Sequence, residues 1–405
     1  MKKITLASGA LAATAALALA GCAGGTPSEP VDRGDITLTI TDTLSETSAP
    51  VYQEVYDACA AEIGIAGVEA THVAGSGHIA KLLQQIASRD LPDVVMIDNP
   101  DVQQIASSGA LSPLTEYGID TADFPEGVIA AGSYDGELYG VAPMVNSLGL
   151  IYNVELLEAA GVEVPTTWDE LREAAQALTQ GSTYGIAFSA ANSFEGTWQF
   201  LPWMWSNGGN EDDLTSPEVV GALEFVTSLV QDGSASASVV GWSQNDVTDQ
   251  FIAGNAAMMI NGPWNLPRLT SAEGLEFEIT TIPVPNAGDD VVAPLGGETF
   301  TVPVNEDSAV QEAAGAFVAC LAQDEHQITM AAGRGGVPSS PSAGAAAIEA
   351  NPYIAAFVDT VATARARTGL LGEAWPDAAT KIYTAVQIAL TGQQSPEAAL
   401  EQVAG

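Results

Sequence analysis

The chain has 405 residues, of which 51 are acidic and 11 basic, for a formal charge of −40. A surface of that sign repels nucleic acid and makes an anionic ligand a poor partner. The length suffices for two domains with well-buried cores.

The first residues point to export. Lys2 and Lys3 form a basic start, Ile4 to Ala20 is an Ala/Leu-rich apolar run, and the run closes on Leu19-Ala20-Gly21-Cys22. This is the layout of a signal peptide over residues 1–21. Small residues before a cysteine resemble a lipobox, which makes Cys22 the expected lipidation site and the membrane anchor. A single acyl chain would hold only reversibly, so the two chains of a diacylglyceryl group matter. Residues 22–34 are small, polar and rich in Pro and Gly, and read as a flexible tether. No later stretch is long and apolar enough to span a bilayer.

From Asp35 onward, strand and helix patterns alternate. "ITLTI" (36–40) precedes a helix predicted over about 50–63, "VEATHV" (68–73) precedes one over about 78–88, and "DVVMI" follows at 93–97. Continuous apolar strands between amphipathic helices indicate a parallel sheet covered on both faces. Asp135-Gly136, set between short extended runs, signals a hairpin. "LGLIYN" restarts the alternation at Leu148, and Thr167 to Glu170 form a capping box opening a helix. Further helices fit 217–231, 309–322 and 377–390, and Ser395-Pro396 caps a last one. The fold class is α/β. Cys59 and Cys320 fall on the apolar stripes of their helices and are expected to be buried free thiols.

In such sheets ligands sit beyond the carboxyl ends of the strands. Those exits carry Thr41-Asp42, Gly75-Ser76-Gly77-His78 and Asp98-Asn99. Asp and Asn also form ordinary turns, so a wider pattern is needed. "GSGHIA" (75–80) fits a dinucleotide fingerprint, with Asp98 where a ribose acid would stand. Export away from the nicotinamide pool, and a position after the second strand instead of the first, argue against an NAD-dependent enzyme. Hydrolase chemistry lacks H-E-x-x-H and any zinc spacing. Of the three candidate bases, His72, His78 and His326, the first and last lie within strand and helix patterns. A carboxylate pair for glycoside hydrolysis has nothing specific behind it. No cofactor or catalytic residue is expected.

The seven tryptophans are more telling. Trp168 opens a helix and packs on it. "EGTWQFLPWMW" (195–205) holds Trp198, Trp203 and Trp205, while Trp242, Trp264 and Trp375 stand beside glycine, proline or polar residues. Indoles at loop-like positions beside Asp, Asn, Glu and Gly suit a sugar site. The apolar C–H face of a pyranose lies flat on an indole, and its hydroxyl rim needs planar donors and acceptors.

Seven segments occur in order behind the lipobox: "LPDVVMIDNPDVQQIASSGALSPL" (91–114), "DGELYGVAP" (135–143) running into "LIYN" (150–153), "PTTWDEL" (165–171), "FIAGNAAMMINGPW" (251–264), "GGETFTVP" (296–303), "GGVPSS" (335–340) and "LTGQQSPEAAL" (390–400). Over nearly all of 36–405 the chain resembles the substrate-binding lipoproteins of bacterial carbohydrate ABC importers, the group that includes maltodextrin-binding proteins. The resemblance implies a two-domain periplasmic-binding-protein-like (flytrap) fold with discontinuous domains, 35–143 with 284–306 and 144–283 with 307–405. A multi-strand hinge would cross near Val141–Val145, Thr281–Pro285 and Val304–Asp307, and close over a sugar or oligosaccharide. The implied partners are an ABC permease and a separate ATPase, with the receptor itself monomeric.

Carried over by position, the resemblance assigns ligand contacts to Asp42, Asp98 and Asn99 in the first domain, and to Asn146 on a crossing segment. Glu195 and Trp198 follow in the second domain, Trp264 is the stacking indole of "GPW", Gly296-Gly297-Glu298 is a glycine-rich turn offering backbone groups, and Trp375 is a second platform. One departure stands out. Many members have arginine after the proline of "GGVPSS", where this chain has Ser339-Ser340, and Arg334 is the expected substitute. Competing readings are a receptor for glycerol phosphate or another small solute, and an exported carbohydrate-acting or NAD-dependent enzyme.

Overall fold

The computed structural model describes residues 33–46, 48–73 and 75–405. The expected signal peptide, Cys22 and most of the tether lie outside the described residues. Strands β1 (Thr37–Asp42), β2 (Gly67–His72), β3 (Val94–Asp98) and β4 (Gly140–Val141) belong to a first sheet. Strands β5 (Gly149–Asn153), β6 (Tyr184–Ala187), β7 (Ala256–Asn261) and β8 (Phe277–Thr280) build a second, and β9 (Glu298–Thr301) returns to the first. The strand orders are β2-β1-β3-β9-β4 and β8-β5-β7-β6.

In the first sheet β1 runs parallel to β2 and β3, while β9 runs antiparallel to β3 with Glu298 opposite Asp98. In the second, β7 lies parallel to β6 and antiparallel to β5. The apolar runs explain the layering. Val94 to Ile97 and all six residues of β7 are buried, as strands covered on both faces must be.

Five helices bear on function: α1 (Ala49–Ile63), α2 (Phe194–Ser206), α3 (Ser308–Leu321), α4 (Asp324–Arg334) and α5 (Trp375–Leu390). Leu38, Ile40, Tyr56 and Phe300 form a core behind the first sheet, joined by Phe317 of α3 and Met330 of α4. A larger core behind the second sheet holds Leu150, Ile186, Trp203, Leu223 and Ile382. Among the described residues no helix is long and apolar enough to cross a membrane.

Local chemistry reads through. Asp135 and Gly136 both have positive φ, at 49° and 82°, as a two-residue hairpin turn requires. Thr167 and Glu170 form the reciprocal capping box.

Three expectations are corrected. Cys59 and Cys320 are not free thiols but a disulfide, joining α1 to α3 across 261 residues. Each cysteine does lie on a buried stripe; the pattern along a helix does not tell which other stripe it meets. Residues 307–334, assigned to the second domain, instead pack their helices on the first sheet's core. An amphipathic period shows that a helix has an apolar face, not which sheet that face covers. Finally, 194–206 is not loop-like but a buried helix that continues through Pro202. Proline removes one backbone donor there, and packing of nearly the whole helix outweighs the loss.

Candidate ligand cavity

The carboxyl ends of β3 and β7, the start of β9 and the first turns of α2 converge on a cavity of about 300 Å³, at the low end for ligand pockets. Its walls differ in chemistry. Its lining has a charged set, Asp98, Glu298 and Arg334, and an aromatic set, Trp198 and Trp264 with Glu195, together with Asn146, Gly296 and Gly297.

On α2, Ser193 caps the helix by accepting from the Glu195 N–H, and Glu195 and Trp198, three apart, share one face. Glu195 Oε2 accepts the Gln244 N–H at 3.1 Å. The turn that presents Trp264 is held by a buried polar network. Asn261 Nδ2 donates to the Gln244 carbonyl at 2.9 Å and to Thr248 Oγ1 at 3.1 Å, and that hydroxyl donates to Asn265 Oδ1 at 2.7 Å. Gly262 is required because the indole folds back over it; a Cβ there would stand 2.0 Å from the Trp264 ring.

Asn146 and Gly296 exchange backbone hydrogen bonds at 3.1 and 2.8 Å. A Cβ on Gly296 would lie 2.2 Å from Asn146 Oδ1 and 2.6 Å from the Trp198 ring. Only glycine lets these two groups close on the strand.

The charged wall is internally paired. Arg334 donates a short hydrogen bond to Glu298. Burial alone would lower the Arg334 pKa, but Glu298 and the Tyr52 phenol more than offset it and hold the guanidinium charged. Arg367 Nη2 donates to Asp98 Oδ1 at 2.7 Å and to Asn99 Oδ1 at 2.9 Å, and its guanidinium lies 4.9 Å from the Trp198 ring centre. That contact contributes about 0.5–2 kcal/mol. Behind it, burial first and the Asp98 charge second push the Asp101 carboxyl up to about 7, with Arg367 pulling the other way. Four polar atoms of the lining side chains, Trp198 Nε1, Glu298 Oε2, Arg334 Nη1 and Arg367 Nε, are buried with no partner among the described residues.

Nine of the residues expected at the site line this cavity together; Asp42, Asn99 and Trp375 do not. Asp42 is fully buried, and its oxygens accept from Leu44 N, Tyr56 Oη and the His72 ring. Asn99 is buried one layer behind, tied to the Leu295 carbonyl and to Arg367. Trp375 packs in the second core. Ser339 and Ser340 bind the Ala142 carbonyl and cap the helix Pro341–Ala350. Arg334 does line the cavity, joined by Arg367, which the sequence reading missed. The signal was "RAR": Arg365 and Arg367 sit two apart in an arginine-poor chain, a strand period that puts both on one face. They stack on Trp205 and Trp198, two turns apart on α2. A larger hollow of about 520 Å³ beside Tyr117 and Gln323 holds no tryptophan and lies apart from every strand exit described above.

A cavity at the strand exits of two α/β sheets, lined by paired charges and indoles, is the arrangement of a ligand-binding receptor. Residues 54–356 match the family described as bacterial extracellular solute-binding protein, and the chain belongs to that family. It is therefore an extracellular binding protein and not an enzyme. A Brucella abortus chain described as a binding protein is 26% identical over 98% of this chain and 96% of its own length. A maltooligosaccharide ABC transporter solute-binding lipoprotein of Streptococcus pneumoniae is 26% identical over 77% of this chain and 75% of its own. The crystal structure of the cyclic alpha-maltosyl-1,6-maltose binding protein of Arthrobacter globiformis superposes with a TM-score of 0.80 at 26% identity, covering 91% and 97% of the two chains. The α/β fold is that of periplasmic binding proteins.

Proposed function

We propose that this chain is the receptor of an ABC importer and that its ligand is a neutral sugar or oligosaccharide. The observation that carries the reading is the charge pairing of the cavity. Its two guanidiniums already answer Glu298 and Asp98, and Glu195 leaves three carboxylates against two cations. A phosphate or carboxylate ligand meets net negative charge, whereas a sugar uses the same groups as hydrogen-bond partners and lays a C–H face on Trp264. Both oligosaccharide-binding relatives named above support this choice over glycerol phosphate. The ligand contacts are Asp98, Asn146, Glu195, Trp198, Trp264, Gly296, Gly297, Glu298, Arg334 and Arg367. The loaded receptor docks on permease subunits powered by a separate ATPase, anchored through lipid on Cys22.

Thermal denaturation with a panel of maltooligosaccharides and glycerol 3-phosphate tests the ligand class. A neutral oligosaccharide at about 100 times its Kd adds roughly 2.7 kcal/mol to stability. Stabilisation by glycerol 3-phosphate alone would overturn the reading. Intact-mass analysis of the membrane-derived protein tests the anchor; an unlipidated Cys22 would remove it.

A further inference from the structure

We propose that Glu62, Glu325 and His326 form a divalent transition-metal site, suited to zinc, that braces the end of α1 against the start of α4 outside the ligand cavity. His326 is 8% exposed as a residue, and its Nε2 is buried without a hydrogen-bond partner among the described residues. It faces Glu62 Oε2 at 3.8 Å, too far for a hydrogen bond. One donor atom from each of Glu62, Glu325 and His326 lies within 4.8 Å of the other two. Around a tetrahedral zinc with bonds of about 2.0–2.2 Å, donors stand about 3.4 Å apart. The trio therefore needs only a small contraction, and both glutamates are exposed.

The donor set argues for the metal class. One imidazole with carboxylates suits zinc, whereas calcium and magnesium prefer oxygen alone. The sulfurs of Cys59 and Cys320 are adjacent to His326, but as a disulfide they offer no thiolate. Gln323 Nε2 donates to Glu62 Oε1 at 2.7 Å, leaving Oε2 directed at His326. An outer partner of this kind orients a metal-binding carboxylate. Asp324 and Glu325 in the first turn of α4 also counter the positive helix end that would otherwise repel a cation.

The test is calorimetric titration of zinc chloride into full-length, chelator-treated protein whose disulfide is verified intact by mass, with calcium chloride as the comparison. The expected result is one saturable zinc site that calcium does not fill, weakened by about tenfold or more in Glu325→Gln and in His326→Gln. X-ray absorption at the zinc edge should show a single imidazole ligand among oxygens. Zinc uptake unchanged in Glu325→Gln, or matched by calcium across many weak sites, would overturn the proposal. Should His326→Gln fail to fold, Glu325→Gln, which alters an exposed side chain, and the absorption spectrum decide the matter. Neither result depends on which solute the cavity binds.

Discussion

The two walls of the cavity are made rigid by opposite means. The charged wall is set by pairing: Arg334 with Glu298, and Arg367 with Asp98 and Asn99. The α2 side of the aromatic wall is set by packing: the helix is almost wholly buried, with Trp203 in the second core against Trp168 and Phe225. Paired charges hold position yet can exchange partners with a polar ligand. Indoles packed as Trp203 is cannot move without opening a cavity, so α2 holds Trp198 in a fixed place. The comparison also separates tryptophans that look alike in sequence. Trp203 and Trp205 support the wall, while Trp198 and Trp264 are its surface.

The largest expected effect comes from breaking the support of the aromatic wall. Trp203→Ala should cost about 3–5 kcal/mol of stability in urea denaturation, with the affinity of the folded fraction close to normal. A mild stability loss together with a large affinity loss would place Trp203 at the ligand instead. In the first sheet's core, the double change Cys59→Ser with Cys320→Ser should cost about 2–5 kcal/mol by the same measurement, since the bridge closes a long loop of the unfolded chain. A neutral result would show that packing of α1 on α3 suffices.

Trp264→Ala reverses the Trp203 pattern. It removes stacking and apolar burial worth about 2–3 kcal/mol, roughly 30- to 150-fold in Kd by calorimetric titration. Its stability loss should be smaller than that of Trp203→Ala, because Trp264 is only partly buried. Normal affinity in this variant would remove the indole from the site.

The smallest effect sharpens the electrostatics behind the charged wall. The Asp101 carboxyl ordinarily loses its proton near 3.8 but holds it up to about 7 in the folded protein. The folded state therefore binds more protons between those values. Its contribution is fully present below about pH 4, declines as pH rises towards 7 and then levels. Asp101→Asn should flatten that decline, gaining about 2 kcal/mol over the wild type at pH 8 relative to pH 4, after allowance for partial solvent contact. Parallel stability curves for the two proteins would show that Asp101 ionises normally.

What the sequence determined by itself was local. The run Val94–Ile97, the capping box at Thr167 and the hairpin turn at Asp135-Gly136 each express a short-range rule, and each stands in the structure as read. Motif order also located most of the cavity, because strand exits such as Asp98 and turns such as Gly296-Gly297-Glu298 are presented wherever the sheets form. Tertiary structure decided everything that needed two distant faces to meet. It joined Cys59 to Cys320, drew 308–334 onto the first sheet, turned Asp42 inward to His72 and Tyr56, and buried Trp375. It also brought Arg367 across 268 residues to Asn99. Periodicity shows that a residue has a side to hide; which partner hides it depends on contacts between segments far apart in the chain, and those exist only once the sheets and helices have packed.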